Sequence, residues 1–309
     1  MYSYAGYYQI RNYGINALYP TTITDAVSSS NEVVQTERDE IMRIAADVTQ
    51  AMNNHMEIDQ YADYMPFSGV RKQNAKHNDN ITDGGLSLTL DAPLASLTSA
   101  VLGDATSLTV DTDVITVPYG RTPAQELTIL NSAAVWTQYT SNWQQAIVIT
   151  GIWCQRKQYD TEGWIDSGDD VKTTDLTTTA TTITVTDANG ANARNYIPRF
   201  DIGQLIRIES EYMIITGINY ETTNVLTVIR GVQGTTAATH VATTDIYTFQ
   251  PEPNIVRACA IITAFEYSRR GQYEMVTVQG GGTSIQVLPE LWPATAMELL
   301  PAELRVGGF

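Results

Sequence analysis

Residues 200–240 read FDIGQLIRIESEYMIITGINYETTNVLTVIRGVQGTTAATH, and the fold depends on whether this stretch is a β module or grips a nucleotide. Three apolar bursts, Leu205–Ile208, Tyr212–Ile215 and Val225–Ile229, are separated by polar and glycine-bearing segments, the pattern of short strands joined by turns. The tail Gly231-Val232-Gln233-Gly234-Thr235-Thr236 has no Lys-Ser/Thr ending, and no helical pattern follows it, so it fails as a phosphate loop. Its glycines read as turn residues supplying positive φ. With Ile183 and Val185 upstream and Tyr247–Phe249 downstream, residues 172–250 carry about five strands at the spacing of a small sandwich or barrel.

Outward from this module the periodicity changes. PEPNIVRACAIITAFEYSRRGQYE predicts a helix, with Pro253 in its first turn, Arg269 and Arg270 in its last and Gly271 at its stop. Ile255, Cys259, Ile262 and Phe265 form its main stripe, and apolar residues fill most of the remainder, so it must be buried nearly all round. On the other side of the module, WIDSGDDVKTTDLTTTATT is Thr-rich and acidic with no apolar face, and reads as a linker. Before it, LSLTLDAPLASLTSAVLGDATSLTV, ELTILNSAAVWTQY and QQAIVITGIWC read as strands.

The firmest predicted helix lies in SSSNEVVQTERDEIMRIAADVTQAMNNHM, with Val34, Ile41, Ile44, Val48 and Met52 on one stripe and acidic residues in its early turns. The nearly all-apolar second helix has to return to the core begun by this one, which makes the β module an insertion. Loop-closure entropy permits that, at ~0.6 kcal/mol for each doubling of loop length.

The expected class is therefore α+β: a small helical core domain with a β segment, an inserted all-β module and an extended C-terminal arm. The expected units are an N-terminal arm (1–30), a discontinuous core (31–171 with 251–279), the inserted module (172–250) and a docking arm (280–309). The first thirty residues are Tyr-rich and almost uncharged, suiting an extended arm on a neighbouring surface or a loose terminus. After the hinge Gly280-Gly281-Gly282, a strand over Ser284–Leu288 leads to a short amphipathic piece. Leu288, Leu291, Trp292, Met297, Leu299, Leu300, Leu304 and Phe309 are its candidate interface residues, for its own body or another subunit.

The chain has 309 residues with 34 Asp+Glu against 18 Lys+Arg, a formal charge of −16, which disfavours gripping nucleic acid by charge. An acidic wall that DNA slides past, or acidity for solubility, both fit. No stretch reaches the length of a membrane span, and the N-terminus does not read as a signal peptide. Cys154 and Cys259 sit in apolar runs and read as buried, unpaired thiols. His55, His77 and His240 have no second ligand at a useful spacing and read as surface residues. Asp160, Glu162, Asp166, Asp169 and Asp170 flank Trp164, which would suit a carboxylate hydrolase only if a cleft held two of them. No catalytic, cofactor-binding or metal residues are assigned, and an enzyme is not expected.

The order of pieces resembles the head-to-tail connector (adaptor) proteins of tailed bacteriophages. RDEIMRIAADVTQAMNNHM is similar to their core helix, DGGLSLTLDAPLASLTSAVLGD and VPYGRTPAQELTIL to their strand-and-turn segment, and VITGIWCQRKQYDTEGWIDSGD to the segment that leaves the core. RFDIGQLIRIESEYMIITGI and LTVIRGVQGTTAATH resemble the immunoglobulin-like insertion of many such proteins, and EPNIVRACAIITAFEYSRR resembles the helix that completes the core. The resemblance implies a virion protein at the head–tail interface, assembled in the host cytoplasm. It would form a ring of identical subunits, commonly twelve, under the portal protein and above tail or tail-completion proteins. Double-stranded DNA would pass through without specific binding, and neither a cofactor nor a membrane is implied. The alternative expectation is a decoration or adhesion protein whose β module binds a host ligand, with Tyr196, Phe200, Tyr212 and Tyr220 as candidate aromatics.

Overall fold

The computed structural model describes residues 2–14, 32–76, 80–130, 133–172, 174–220, 224–269, 276–280, 283–287 and 292–301. In coarse terms the fold is α+β, with two large antiparallel sheets and few helices.

The first sheet contains β1 (Phe67–Gln73), β2 (Ile81–Thr82), β3 (Ser87–Val101), β4 (Ser107–Leu108), β5 (Val114–Val117), β6 (Ala124–Ile129) and β7 (Ile147–Trp153). Its order is β1-β7-β3-β6-β5, with β2 and β4 paired onto the long β3. In β7, Ile147, Ile149, Gly151 and Trp153 are buried while the residues between them are partly exposed, the period-2 signature of a sheet with one covered face. That face builds its own core from Leu88, Leu94, Leu127, Ile129, Trp136 and Trp153.

The second sheet contains β8 (Trp164–Asp170), β9 (Thr182–Thr184), β10 (Leu205–Ile208), β11 (Glu211–Asn219), β12 (Val225–Ile229) and β13 (Asp245–Phe249), in the order β8-β13-β10-β11-β12-β9. Just past β8, the Lys172 N–H donates to the Thr184 carbonyl at the end of β9 (2.9 Å), so the two edges meet and the sheet curls into a barrel-like form.

Four α-helices are described: α1 (Tyr7–Gly14), α2 (Glu32–His55), α3 (Pro253–Arg269) and α4 (Ala294–Met297). In α2, Ile41, Val48 and Met52 bury the expected stripe. The Cys259 Sγ of α3 lies 3.6 Å from Thr49 Oγ1 of α2, so the two helices pack directly. Both cysteines are free and buried, as their apolar contexts predict.

The cores divide the chain differently from the sequence-drawn units. Ile41 and Met52 of α2, Ile255 and Ile262 of α3, and Ile206, Met213, Ile215 and Phe249 of the second sheet belong to one hydrophobic cluster. The β module is therefore the surface on which the helices pack, and the strands of 67–153 bury most of their apolar residues around a separate nucleus, with Ala95 and Ile152 meeting the helix-and-sheet core. Apolar periodicity shows that a face is covered without showing by what.

The linker reading of residues 164–182 is also corrected, because Trp164–Asp170 is the edge strand β8. Ser167 and Asp169 occupy two of its inward positions, so the strand buries polar residues where pattern reading looks for apolar ones. The N-terminal segment is not an extended arm over residues 2–14, since Tyr4, Ala5, Tyr7 and Ile10 are buried in the helix-and-sheet core. Gly280 is not a hinge residue but the end of β14 (Val276–Gly280), which pairs with β15 (Thr283–Val287) in a two-stranded ribbon. Among the described helices none is long and apolar enough to cross a membrane.

Candidate functional site

The glycine-spaced stretch after β12 closes a buried ionic clasp. Glu211 opens β11, and its side chain is 1% exposed. Arg230, just past β12, donates Nε to Glu211 Oε1 (2.6 Å) and Nη2 to Oε2 (2.7 Å), a bidentate pair. The N–H groups of Gly231 (3.1 Å) and Ala238 (2.9 Å) also donate to this carboxylate. His240 places Nε2 2.9 Å from Glu211 Oε2 and Nδ1 2.8 Å from Glu209 Oε2. Burial pushes the Glu211 carboxyl up, but Arg230, the Ala238 amide and His240 outweigh it and hold it down at about 2. The remaining Arg230 donors reach the carbonyls of Thr177, Ala180 and Ala238.

The turn beyond the clasp touches the first sheet. Ser68 of β1 donates its N–H to the Gln233 carbonyl (2.9 Å), and Gly234 sits at φ +79° against the Ser68 carbonyl. A Cβ at Gly234 would collide with that oxygen, so this position requires glycine both for its backbone angle and for its close approach.

Chemically the clasp is closed. A nucleophilic triad needs an imidazole nitrogen on a hydroxyl or thiol, whereas both nitrogens of His240 face carboxylates. The nearby Thr235 hydroxyl accepts from the Tyr212 N–H and donates to the Val232 carbonyl. His240 is thus a core residue, 1% exposed, and not the surface histidine expected. His55 packs edge-on against Trp292, and His77 lies outside the described residues.

The carboxylates near Trp164 have separate structural duties. Asp169 is buried, pairs with Arg199 (2.8 Å) and accepts from the N–H groups of Thr186 and Asp187, pinning β8 to the following loop. Burial raises its affinity for a proton, but these amides outweigh that and lower its pKa. Glu162 pairs with Arg194, Asp170 with Lys172, and Asp166 accepts from the Gly168 N–H. No group of three or more potential metal ligands occurs among the described residues.

A cleft of about 550 Å³ lies between α1, the 192–198 loop and the start of α3. Tyr13, Tyr196 and Ile197 line it and are exposed. Arg156 also lines it but is held by Gln250 O (2.7 Å), Lys157 O (2.6 Å) and Glu162 O (3.1 Å). Of the four aromatics considered for ligand binding, Phe200, Tyr212 and Tyr220 are buried, leaving Tyr196 at the cleft.

Two buried carboxyls fasten the N-terminal segment. Asp201 accepts from the Tyr8 N–H (3.0 Å) at the start of α1, and Gly6 leaves room for its carboxyl group. Asp63 bonds the Tyr4 hydroxyl and accepts from Met65 N–H (3.1 Å). Burial pushes both carboxyls up to about 7, against the amide donors that favour their charged forms.

Of the sequence-predicted interface residues, Leu300 is buried in the helix-and-sheet core, and Trp292, Met297 and Leu299 pack against it. This part of the arm lies on its own body. Leu288, Leu291, Leu304 and Phe309 lie outside the described residues. Sequence reading missed the clasp, although the Arg230-Gly231…Gly234-Thr235…His240 spacing was its signal. Comparison with known proteins finds no matching family model, no matching curated protein and no matching solved structure.

Proposed function

We propose that this chain is a structural virion protein, a head-to-tail adaptor that forms a ring between portal and tail and lines the DNA exit channel. In this reading the helices, the β segment and the inserted module form the ring body, and the C-terminal arm reaches a neighbouring component. The observation that carries the reading is the saturation of the clasp. Glu211, Arg230 and His240 direct their polar atoms into the fold, where they act as struts. The formal charge of −16 suits a channel wall that does not retain DNA. The order of segments that resembles the connector family supplies the rest.

Native mass spectrometry of the purified chain, alone and with a portal ring, tests this. A closed oligomer, or a stoichiometric complex with the portal, is expected. A monomer that ignores the portal overturns the reading. Because Ala296 and Leu300 are buried, removing residues 283–309 would uncover the core. A cut after Pro301 is the cleaner test of the arm, and loss of portal attachment with an unchanged circular dichroism spectrum is expected.

A second reading, ligand binding as a decoration or adhesion protein, has the cleft beside Tyr13 and Tyr196 in its favour. Glycan-array binding by the full chain, lost in Tyr196→Ala, would support it over the adaptor.

A further inference from the structure

The ribbon β14–β15 pairs with no other strand among the described residues. Its register sets Val276 opposite Val287 and Val278 opposite Ile285, so these four β-branched residues share one face. Thr277, Gln279, Ser284 and Gln286 share the other. A lone two-stranded ribbon is marginal in water, and one with an apolar face needs a third strand and cover for that face.

The molecule also carries an open edge. β1 pairs with β7 on one side only. Ser68 turns its N–H away from β7 to reach Gln233. Backbone groups alternate along a strand, so the N–H and C=O of Val70 and Lys72 point the same way as those of Ser68. Nothing among the described residues takes these four groups. Val70 is 49% exposed and shares a face with the partly exposed Val148 of β7, while Ile152 at the other end of that face packs against the helix-and-sheet core.

We propose that the ribbon β14–β15 of one copy adds to the β1 edge of a second copy, its apolar face extending the Val70–Val148 strip. The lengths fit: each ribbon strand has five residues, and β1 has seven, of which the turn at Gly234 covers the beginning. The main competing occupant, β1 of another copy, fits badly. Antiparallel pairing centred on Val70 drives Lys72 into the Gln233–Gly234 turn that occupies Ser68. Pairing centred on Arg71 sets two arginines directly opposite each other, which is destabilising. The ribbon strands contain no charged residue. A ribbon-to-edge contact joins different surfaces of identical chains, so it closes as a dimer if two copies exchange ribbons reciprocally and otherwise propagates head to tail and closes as a ring. The inference rests on the proposed self-assembly only for the choice of a second copy as occupant.

Thiol cross-linking tests it, because Cys154 and Cys259 are buried. A Val70→Cys chain and a Val278→Cys chain, with both positions on the same face of the proposed sheet, are mixed and treated with a short bis-maleimide. A mixed dimer is expected, with far less product from either variant alone. Absence of the mixed dimer overturns the proposal, as does coupling confined to a single chain in the double variant. Val70→Pro is the second measurement: it removes an outward N–H that edge strands tolerate losing, so the monomer should keep its circular dichroism spectrum. At least tenfold weaker self-association is expected for Val70→Pro, with near-normal association for Val70→Thr. A ring that persists in Val70→Pro overturns the ribbon contact while leaving the adaptor reading intact, whereas a portal-indifferent monomer in the unaltered chain removes both.

Discussion

Asp63 and Asp201 behave oppositely to Glu211, and the difference lies in what each carboxyl accepts. Asp63 and Asp201 gain only a few donors in an apolar setting, so the folded chain favours their protonated forms. Their folded pKa values of about 7 stand above the ordinary 3.8, so the folded state binds more protons between these limits. The contribution of these two carboxyls to stability should therefore be greatest below about pH 4, fall as pH rises to about 7 and then level off. Each contributes a few kcal/mol at most, on the scale of ~1.4 kcal/mol per pK unit. Thermal unfolding from pH 5 to 8 should show this decline, and Asp63→Asn with Asp201→Asn should flatten it. Glu211 carries the reverse sign. Its pKa, lowered from 4.5 to about 2, gives stability that is complete above pH 4.5 and lost as pH falls toward 2. Arg230→Ala would leave that carboxylate buried without its main partner, a loss of roughly 3–5 kcal/mol in urea unfolding at pH 7. Glu211→Gln should remove the added acid sensitivity.

At the scale of elements, the turn after β12 joins the two sheets. Gly234→Ala would place a Cβ against the Ser68 carbonyl and strain a backbone at φ +79°, costing on the order of 1–3 kcal/mol. Faster hydrogen exchange at the Ser68 amide is the specific readout, because that N–H donates to Gln233. β8 shows how an element can hide from pattern reading. Its inward positions include Ser167, which bonds Asp169 N–H (3.1 Å), and Asp169, which joins Thr186, Asp187 and Arg199. Polar residues are tolerated inside because each has partners, so burial and hydrophobicity part company along this strand.

For the whole molecule, the two hydrophobic nuclei carry separate reporters. Trp136 and Trp153 lie in the first-sheet core, whereas Trp164 lies in the core shared by the helices and the second sheet. Separate cores need not unfold together. A Trp164→Phe, Trp292→Phe chain should report the first core by fluorescence, and its denaturation midpoint should differ from the midpoint followed by helical circular dichroism. Coincident midpoints would show instead that the Gly234 turn and its neighbours couple the two bodies tightly.

Periodicity alone made α2, α3 and most strands legible, because a 3.6- or 2-residue repeat reports that one face of an element is covered. The Gly231–Gly234 spacing likewise read correctly as turn chemistry, since both glycines adopt positive φ. Only the tertiary structure decided which covered faces meet. It packs the helices on the β module, gives β1–β7 a core of their own and draws Tyr4 and Tyr7 inside. It also gathers Glu209, Glu211, Arg230 and His240 into one clasp. Those contacts depend on distances between residues far apart in the chain, and neither hydrophobic repeat nor local propensity encodes such distances.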